Sequence, residues 1–372
     1  MDILEVSGDS YEMGLLQGEK LSQKMRKAFR DYISAPYFKN AKPLLVPFGI
    51  FVKIAKKRAA EAILDLLDFT PRIKERFFGV VKGSGMETGE IALMSAGEVL
   101  LNEVPYTLGG CTGIAVMPER SKTGEMIVMK NFDYPVEFLP YNLLRISRPR
   151  DGYSSAELTM TPLAGSHDGM NEKGLVILYN YGLSFEKGEK GPLITALIQE
   201  SLEECGSVEC VVRKFEGKRF PSSAILMVAD GKNALVMEIT PRHFGIREPE
   251  RGYLVMTNHF RTPQVKPYDI PSEAVFSKKA IKELRGVRVH QSDELRYERA
   301  VELIEDFGKV GLDEVMKILR DHGKDGVPSD DTICRHAYPY STIGSAVFLP
   351  NSKKVLYKSG NPCEGEYDSL RL

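Results

Sequence analysis

Cys111 is the residue around which chemistry can be built. It stands in Gly109-Gly110-Cys111-Thr112-Gly113-Ile114-Ala115-Val116, with two small residues before it and an apolar, strand-like run after it. A turn at 121–124 and a second apolar run at 125–132 follow, closing on Asn131-Phe132-Asp133-Tyr134. The pattern predicts a cysteine at the start of one strand and the Asp133 carboxylate at the end of its partner.

A free thiol, with a pKa of about 8.5, is only slightly ionised at neutral pH, and the thiolate is the nucleophile. Cutting the Gly110–Cys111 bond would free the α-amine of Cys111. With a pKa of about 7.7–8.0, that amine is a base carried by the nucleophile itself. Gly110 leaves room for the thiol to reach the preceding carbonyl and tolerates strained backbone.

Other segments can serve such a site. Asp133 can orient and partly charge the new amine, or cap a strand end. Asn258, in Thr257-Asn258-His259-Phe260 after an apolar strand, can donate to an oxyanion or close an Asx-turn. Arg296, in Leu295-Arg296-Tyr297-Glu298-Arg299-Ala300, can pair with Asp133 or lie on a solvated helix face. A Cys–His enzyme using His259 or His167 is a further option.

The combination resembles the cysteine N-terminal-nucleophile hydrolases, specifically the acyl-coenzyme A:6-aminopenicillanate acyltransferase-like family. More distantly it is similar to the choloylglycine hydrolase and penicillin V acylase group. The motifs behind the resemblance are Ser10-Tyr11-Glu12-Met13-Gly14-Leu15-Leu16-Gln17-Gly18, Gly110-Cys111-Thr112, Asn131-Phe132-Asp133 and Thr257-Asn258-His259. Thr332-Ile333-Cys334-Arg335, Gly360-Asn361-Pro362-Cys363 and the hairpin Asp168-Gly169-Met170-Asn171-Glu172-Lys173-Gly174-Leu175 complete them.

The resemblance implies Cys111 as nucleophile, its α-amine as base and Asp133 as the group that orients the amine. It further implies Asn258, with a backbone N–H near Asn180 or Tyr181, as the oxyanion hole, and puts the family's active-site arginine on Arg296. Lys130 stands where the bile-salt branch has an arginine beside its substrate pocket, which argues against bile-salt substrates. The implied fold is α+β, a four-layer αββα sandwich. Residues 1–110 would be a mostly helical pro-segment kept as a small subunit, and 111–372 the catalytic large subunit. The implied activity is self-processing hydrolysis of a linear non-peptide amide. The alternatives are acyl transfer from coenzyme A or an amide to an amine, and a non-catalytic binding protein on the same fold.

The elements that must position these residues read as follows. Helices are expected within 1–110, with a capping box at Asp9-Ser10-Tyr11-Glu12 and further helical stretches at 51–67 and 87–104. Gly14 and Gly18, four apart in the first helix, point to close helix packing. Strands are expected at 143–147, 155–159, 174–181, 222–229, 234–239, 253–257, 341–349 and 354–357. Helices are expected at 192–204, 208–215, 294–307 and 312–319, and a surface loop at 261–279. Strands, two helices, strands, helices, strands is the order of two stacked sheets with helices outside.

Composition narrows the function classes. The 372 residues carry 50 basic and 51 acidic side chains, a net charge of −1, which gives nucleic acid or an anionic membrane no purchase. No basic and apolar leader opens the sequence, so a cytoplasmic protein is expected. Five cysteines in a long chain argue against a disulfide framework, and the six histidines are scattered without a zinc-ligand spacing. No cofactor or metal is implied. The expected partner is a small-molecule amide or acyl substrate, and homo-oligomerisation stays open.

Overall fold

The computed structural model describes residues 1–97, 99, 110–278, 280–338 and 340–372. Two sheets stack face to face. The larger holds, in spatial order, β1 (Asp2–Gly8), β4 (Asn142–Pro149), β5 (Ser155–Met160), β6 (Asp168–Asn171), β7 (Val176–Tyr181), β8 (Ala224–Ala229), β9 (Ala234–Ile239) and β10 (Phe244–Arg247). The smaller runs β11 (Tyr253–Met256), β2 (Gly110–Val116), β3 (Ile127–Pro135), β12 (Tyr340–Leu349), β13 (Lys354–Ser359) and β14 (Asp368–Arg371).

Side-chain alternation explains the layers. In β2 and β3, Ala115 and Val128 enter the core between the sheets with Leu144, Met170, Leu178, Ile225 and Met227. Their neighbours Ile114, Val116, Ile127 and Met129 point the other way, onto α8 (Gln291–Phe307) and α9 (Leu312–Leu319) through Ala300, Ile304, Val315 and Ile318. The far face of the larger sheet is covered in the same manner by α6 (Ile194–Glu204) and α7 (Val208–Phe215). The result is the four-layer αββα sandwich.

The first hundred residues are not a detached unit. β1 lies parallel to β4, with Leu4 opposite Arg145, and forms one edge of the larger sheet. Helices α1 (Ser10–Ser34), α2 (Pro36–Asn40), α3 (Phe48–Leu67), α4 (Pro71–Ser84) and α5 (Thr88–Ser95) then share an apolar cluster that includes Ala164, Leu193 and Ala196 from the sandwich. The expected capping box starts α1: Asp9 Oδ1 accepts from Glu12 N at 2.9 Å, and Asp9 N donates to Glu12 Oε2 at 2.8 Å. α1 and α4 cross on glycines. A Cβ at Gly14 would sit 2.0 Å from the Arg76 carbonyl oxygen, and one at Gly79 2.2 Å from that of Tyr11. Backbone meets backbone here, as the spacing of Gly14 and Gly18 suggested.

Several elements differ from expectation. α4, β1, β10 and β14 were not anticipated; β10 and β14 are short, whereas α4 and β1 do carry apolar periods, at Ile73, Phe77 and Val80 and at Leu4 and Val6. Of the helix expected over 87–104, α5 ends at Ser95, and residues 98 and 100–104 lie outside the described residues. The loop 261–279 is not wholly a surface feature, because Thr262, Val265 and Asp269 are buried. One disulfide, Cys205–Cys210, joins the end of α6 to α7, where no disulfide was expected. No helix among the described residues is long and apolar enough to cross a membrane.

Candidate active site

Cys111 is the second residue of β2, paired with Phe132 of β3, while Gly110 pairs with Asp133. Alternation sends the Cys111 side chain to the inner face with Phe132. Gly110, Thr112 and Asp133 turn to the opposite face, where α8 lies. The nucleophile candidate and the carboxylate candidate thus flank one peptide bond from two sides.

Cys111 is 5% exposed. Its backbone nitrogen donates to Asn258 Oδ1 at 2.7 Å. Its carbonyl oxygen accepts from Arg296 Nη1 at 2.7 Å and Asn180 Nδ2 at 3.1 Å. Burial pushes the thiol up to about 11; the Lys130 cation opposes this and the Asp133 charge adds to it. The thiol of the uncut chain is therefore protonated at neutral pH and needs a base to react.

Asp133 is fully buried, and Oδ1 accepts from the Thr342 hydroxyl at 2.7 Å. Oδ2 lies 3.7 Å from Arg335 Nη1 and 3.9 Å from Arg296 Nη1. Burial raises this carboxyl to about 6, against the pull of both guanidiniums and the Thr342 hydroxyl. Gly110 serves by its size. A Cβ there would meet Arg335 Nη1 at 2.3 Å and Arg296 Nη2 at 2.9 Å, and its backbone is not left-handed. The need is for space rather than for the strained conformation that the sequence suggested.

Arg296 is fully buried on α8, not on a solvated face. Besides the Cys111 carbonyl it holds the Thr112 hydroxyl at 2.9 Å and Asp293 Oδ1 at 2.8 Å. Asp293 in turn holds His290 Nδ1 at 3.0 Å, and His290 Nε2 meets Asp269 at 2.8 Å. Burial pushes the His290 imidazole down, but its hydrogen bonds to the two aspartates, which accept them, outweigh it and lift it to about 10. A charged chain of side chains thus fixes the Arg296 guanidinium.

Asn180 and Asn258 meet beside Cys111. Asn258 Nδ2 donates to the Tyr181 carbonyl at 2.7 Å, and Asn180 Nδ2 to that of Thr257 at 3.0 Å. With one amide N–H on Tyr181 and its oxygen on the Cys111 nitrogen, Asn258 bridges β7 to the start of β2.

Cys111, Asp133, Tyr181 and Asn258 open into a cavity of about 960 Å³, its mouth included. Its far wall is apolar: Tyr32 from α1, Met94 from α5, then Phe138 and Leu163. Lys130 departs from its expected place beside the substrate. It is buried, with Nζ 2.6 Å from Asp168 Oδ1, and lines a smaller neighbouring cavity. His167 does line the Cys111 cavity, stacked between Phe132 and Tyr179, but burial drives its imidazole down to about 3 and leaves it neutral. His259 is engaged by the Thr257 hydroxyl at 2.9 Å, away from the cavity lining.

Arg335 and Thr342, the other groups on Asp133, were not singled out from sequence. Arg335 appeared only within Thr332-Ile333-Cys334-Arg335, and nothing local says that it faces a carboxylate two hundred residues earlier in the chain.

Residues 120–364 match the family model of acyl-coenzyme A:6-aminopenicillanic acid acyl-transferase. The chain belongs to this family. The matched stretch includes Asp133, Asn180, Asn258, Arg296 and Arg335 and begins after Cys111. Among solved structures, the chain is similar to a variant of conjugated bile acid hydrolase from Clostridium perfringens, with TM-score 0.44 and 14% identity, covering 70% of this chain and 97% of that one. It is also similar to an N-acylethanolamine-hydrolyzing acid amidase orthologue from Caenorhabditis elegans, with TM-score 0.42 and 16% identity over 64% of this chain and 93% of that one. Penicillin V acylase from Agrobacterium tumefaciens gives TM-score 0.42 and 14% identity over 67% and 83%. No curated protein sequence matches the chain.

Proposed function

We propose that the chain cuts itself between Gly110 and Cys111 and then hydrolyses linear non-peptide amides through a thioester on Cys111. One observation carries this reading. The peptide nitrogen that would become the α-amine is held by Asn258, the next carbonyl is held by Arg296 and Asn180, and the thiol of the same residue faces an apolar cavity.

In the first step the Cys111 sulfur attacks the Gly110 carbonyl, the C–N bond breaks, and the acyl group moves to sulfur. Water then releases the Gly110 carboxylate and leaves a free amine and thiol on Cys111. In turnover the amine takes the thiol proton and the thiolate adds to the substrate carbonyl. Asn258 donates to the resulting oxyanion once its amide turns from Tyr181. The leaving amine receives the proton from the α-ammonium, and water hydrolyses the thioester. Arg296 and Asp133 hold the geometry and the charge of the new terminus. Residues 1–110 stay bound as a small subunit, a reading supported by β1 in the larger sheet and by Tyr32 and Met94 in the cavity wall.

The family's description favours one second reading, in which an amine rather than water takes the acyl group. Intact and reduced mass spectra of purified protein test the first reading. Two fragments meeting at Gly110/Cys111 are expected, and a single uncut Cys111→Ala chain. A catalytically competent preparation whose Cys111 is still peptide-linked overturns it, whereas an uncut chain with no activity on amides makes a non-catalytic binding protein the better description. Product that forms only when an amine is supplied would replace hydrolysis by transfer.

A further inference from the structure

The geometry points to a metal site outside the Cys111 cavity, a Cys₂His₂ cluster of His322, Cys334, His336 and Cys363 that holds a zinc(II) ion. One ligand atom from each side chain lies within 4.8 Å of all the others. His336 Nε2 is 3.4 Å from Cys334 Sγ and 3.2 Å from Cys363 Sγ. With Zn–S of about 2.3 Å and Zn–N of about 2.0–2.1 Å, ligand atoms at tetrahedral angles stand about 3.5 Å apart, so these separations need little adjustment. The two imidazoles pack edge to face with centroids 5.1 Å apart. His322 Nε2 is buried and has no hydrogen-bond partner among the described residues, an orphaned donor set that an ion would satisfy.

The donor chemistry selects the ion. Two thiolates and two imidazoles suit zinc and exclude magnesium or calcium, which want oxygen. Cys334 and Cys363 are free thiols, apart from the Cys205–Cys210 disulfide. Binding would release two thiol protons to solvent and leave a site of zero net charge. Four occupied protein ligands with no open position make such a site structural.

The backbone around the ligands is held independently of any ion. Cys334 N donates to the Asp321 carbonyl at 3.0 Å, and Thr332 Oγ1 to the Cys334 carbonyl at 2.7 Å. Arg320 Nε holds the Pro362 carbonyl at 2.9 Å, beside Cys363. The cluster therefore joins the 320–336 loop to the segment after β13. It lies next to Arg335, whose guanidinium stands 3.7 Å from Asp133. An ion there would clamp the loop that brings Arg335 to the cleavage site.

The experiment uses the full-length untagged chain, purified under reduction and dialysed against zinc chloride, with metal read by elemental mass spectrometry. About one zinc per chain is expected in the wild type and in Cys111→Ala, falling to background in His322→Ala and Cys363→Ser. Because a ligand variant can misfold, cobalt(II) loading of the wild type provides a second reading. Thiolate-to-cobalt charge-transfer absorption with intense tetrahedral d–d bands supports the site. No stoichiometric metal in the reduced wild type, undiminished metal in both ligand variants, or a cobalt spectrum lacking thiolate bands overturns it. None of these readouts depends on self-cleavage or amidase activity, so the site stands or falls separately from the proposed reaction.

Discussion

Arg296 Nη1 donates to the carbonyl oxygen of Cys111 at 2.7 Å, and the same guanidinium, on Nη2, meets Asp293 at 2.8 Å. A buried cation is thereby tied to the backbone of the nucleophile on one side and to a carboxylate on the other. Among the described residues, substituting Arg296 by Gln leaves Asp293 with His290 alone and the Cys111 carbonyl with Asn180 alone in the interior. Breaking a buried ion pair costs about 3–5 kcal/mol, and the remaining His290 bond to Asp293 puts the expected loss near the lower end. Urea unfolding of Arg296→Gln in a Cys111→Ala background measures it without interference from processing. An unshifted midpoint would show that the guanidinium contributes nothing to the fold.

Asn258 bonds through both ends of its amide, and two substitutions separate the roles. Asn258→Ala removes both and should lower turnover of the processed enzyme by about 10²–10³. Asn258→Asp keeps an acceptor for the Cys111 nitrogen but loses the donor. If the donor stabilises the oxyanion, Asp should be as slow as Ala in turnover while cutting itself faster than Ala does. Normal turnover in either variant removes Asn258 from the oxyanion hole.

Asp133 predicts a pH dependence with a definite sign. Its carboxyl is raised to about 6, so the fold disfavours its ionised form. The stability it contributes is present below the ordinary carboxylate value and is lost as pH rises through about 6. Asp133→Asn in the Cys111→Ala background should flatten that part of the stability–pH curve. In the processed enzyme a new α-ammonium nearby favours the carboxylate, so the acid limb of kcat should fall below pH 6. Parallel stability curves for the two uncut chains would count against the assignment.

The α1–α4 crossing depends on glycine. Gly14→Ala gains about 1 kcal/mol in helix propensity, yet its Cβ would lie 2.0 Å from the Arg76 carbonyl oxygen, and overpacking costs about 1–3 kcal/mol or more. Backbone stands on both sides, so the clash wins and the melting temperature should drop. Gly49→Ala, in α3 with nothing within 4 Å of its Cβ, should leave it unchanged or higher. Equal effects at the two positions would remove the packing explanation.

Much of this protein could be read from local pattern. Apolar runs bounded by turn residues marked β2, β3, β8 and β9, because these strands are buried on both faces, and apolar helical stretches marked α6, α7 and α9. Cys111 and Asp133 on β2 and β3, Asn258 just after β11 and Arg296 within α8 stood out as residues of the right chemistry. What local pattern does not encode is who faces whom across the layers. Lys130 looks like a pocket residue until the stacking of β3 over β6 brings it onto Asp168, and Arg335 reaches Asp133 only because β3 and β12 pair. His322, Cys334, His336 and Cys363 have no recognisable spacing, and only the packing of a loop against the segment after β13 assembles them. Sequence alone determined which side chains could do chemistry, since that is a property of residue types and short-range period. Tertiary structure decided which of them share a site, because their distances depend on strand register and on the stacking of distant segments.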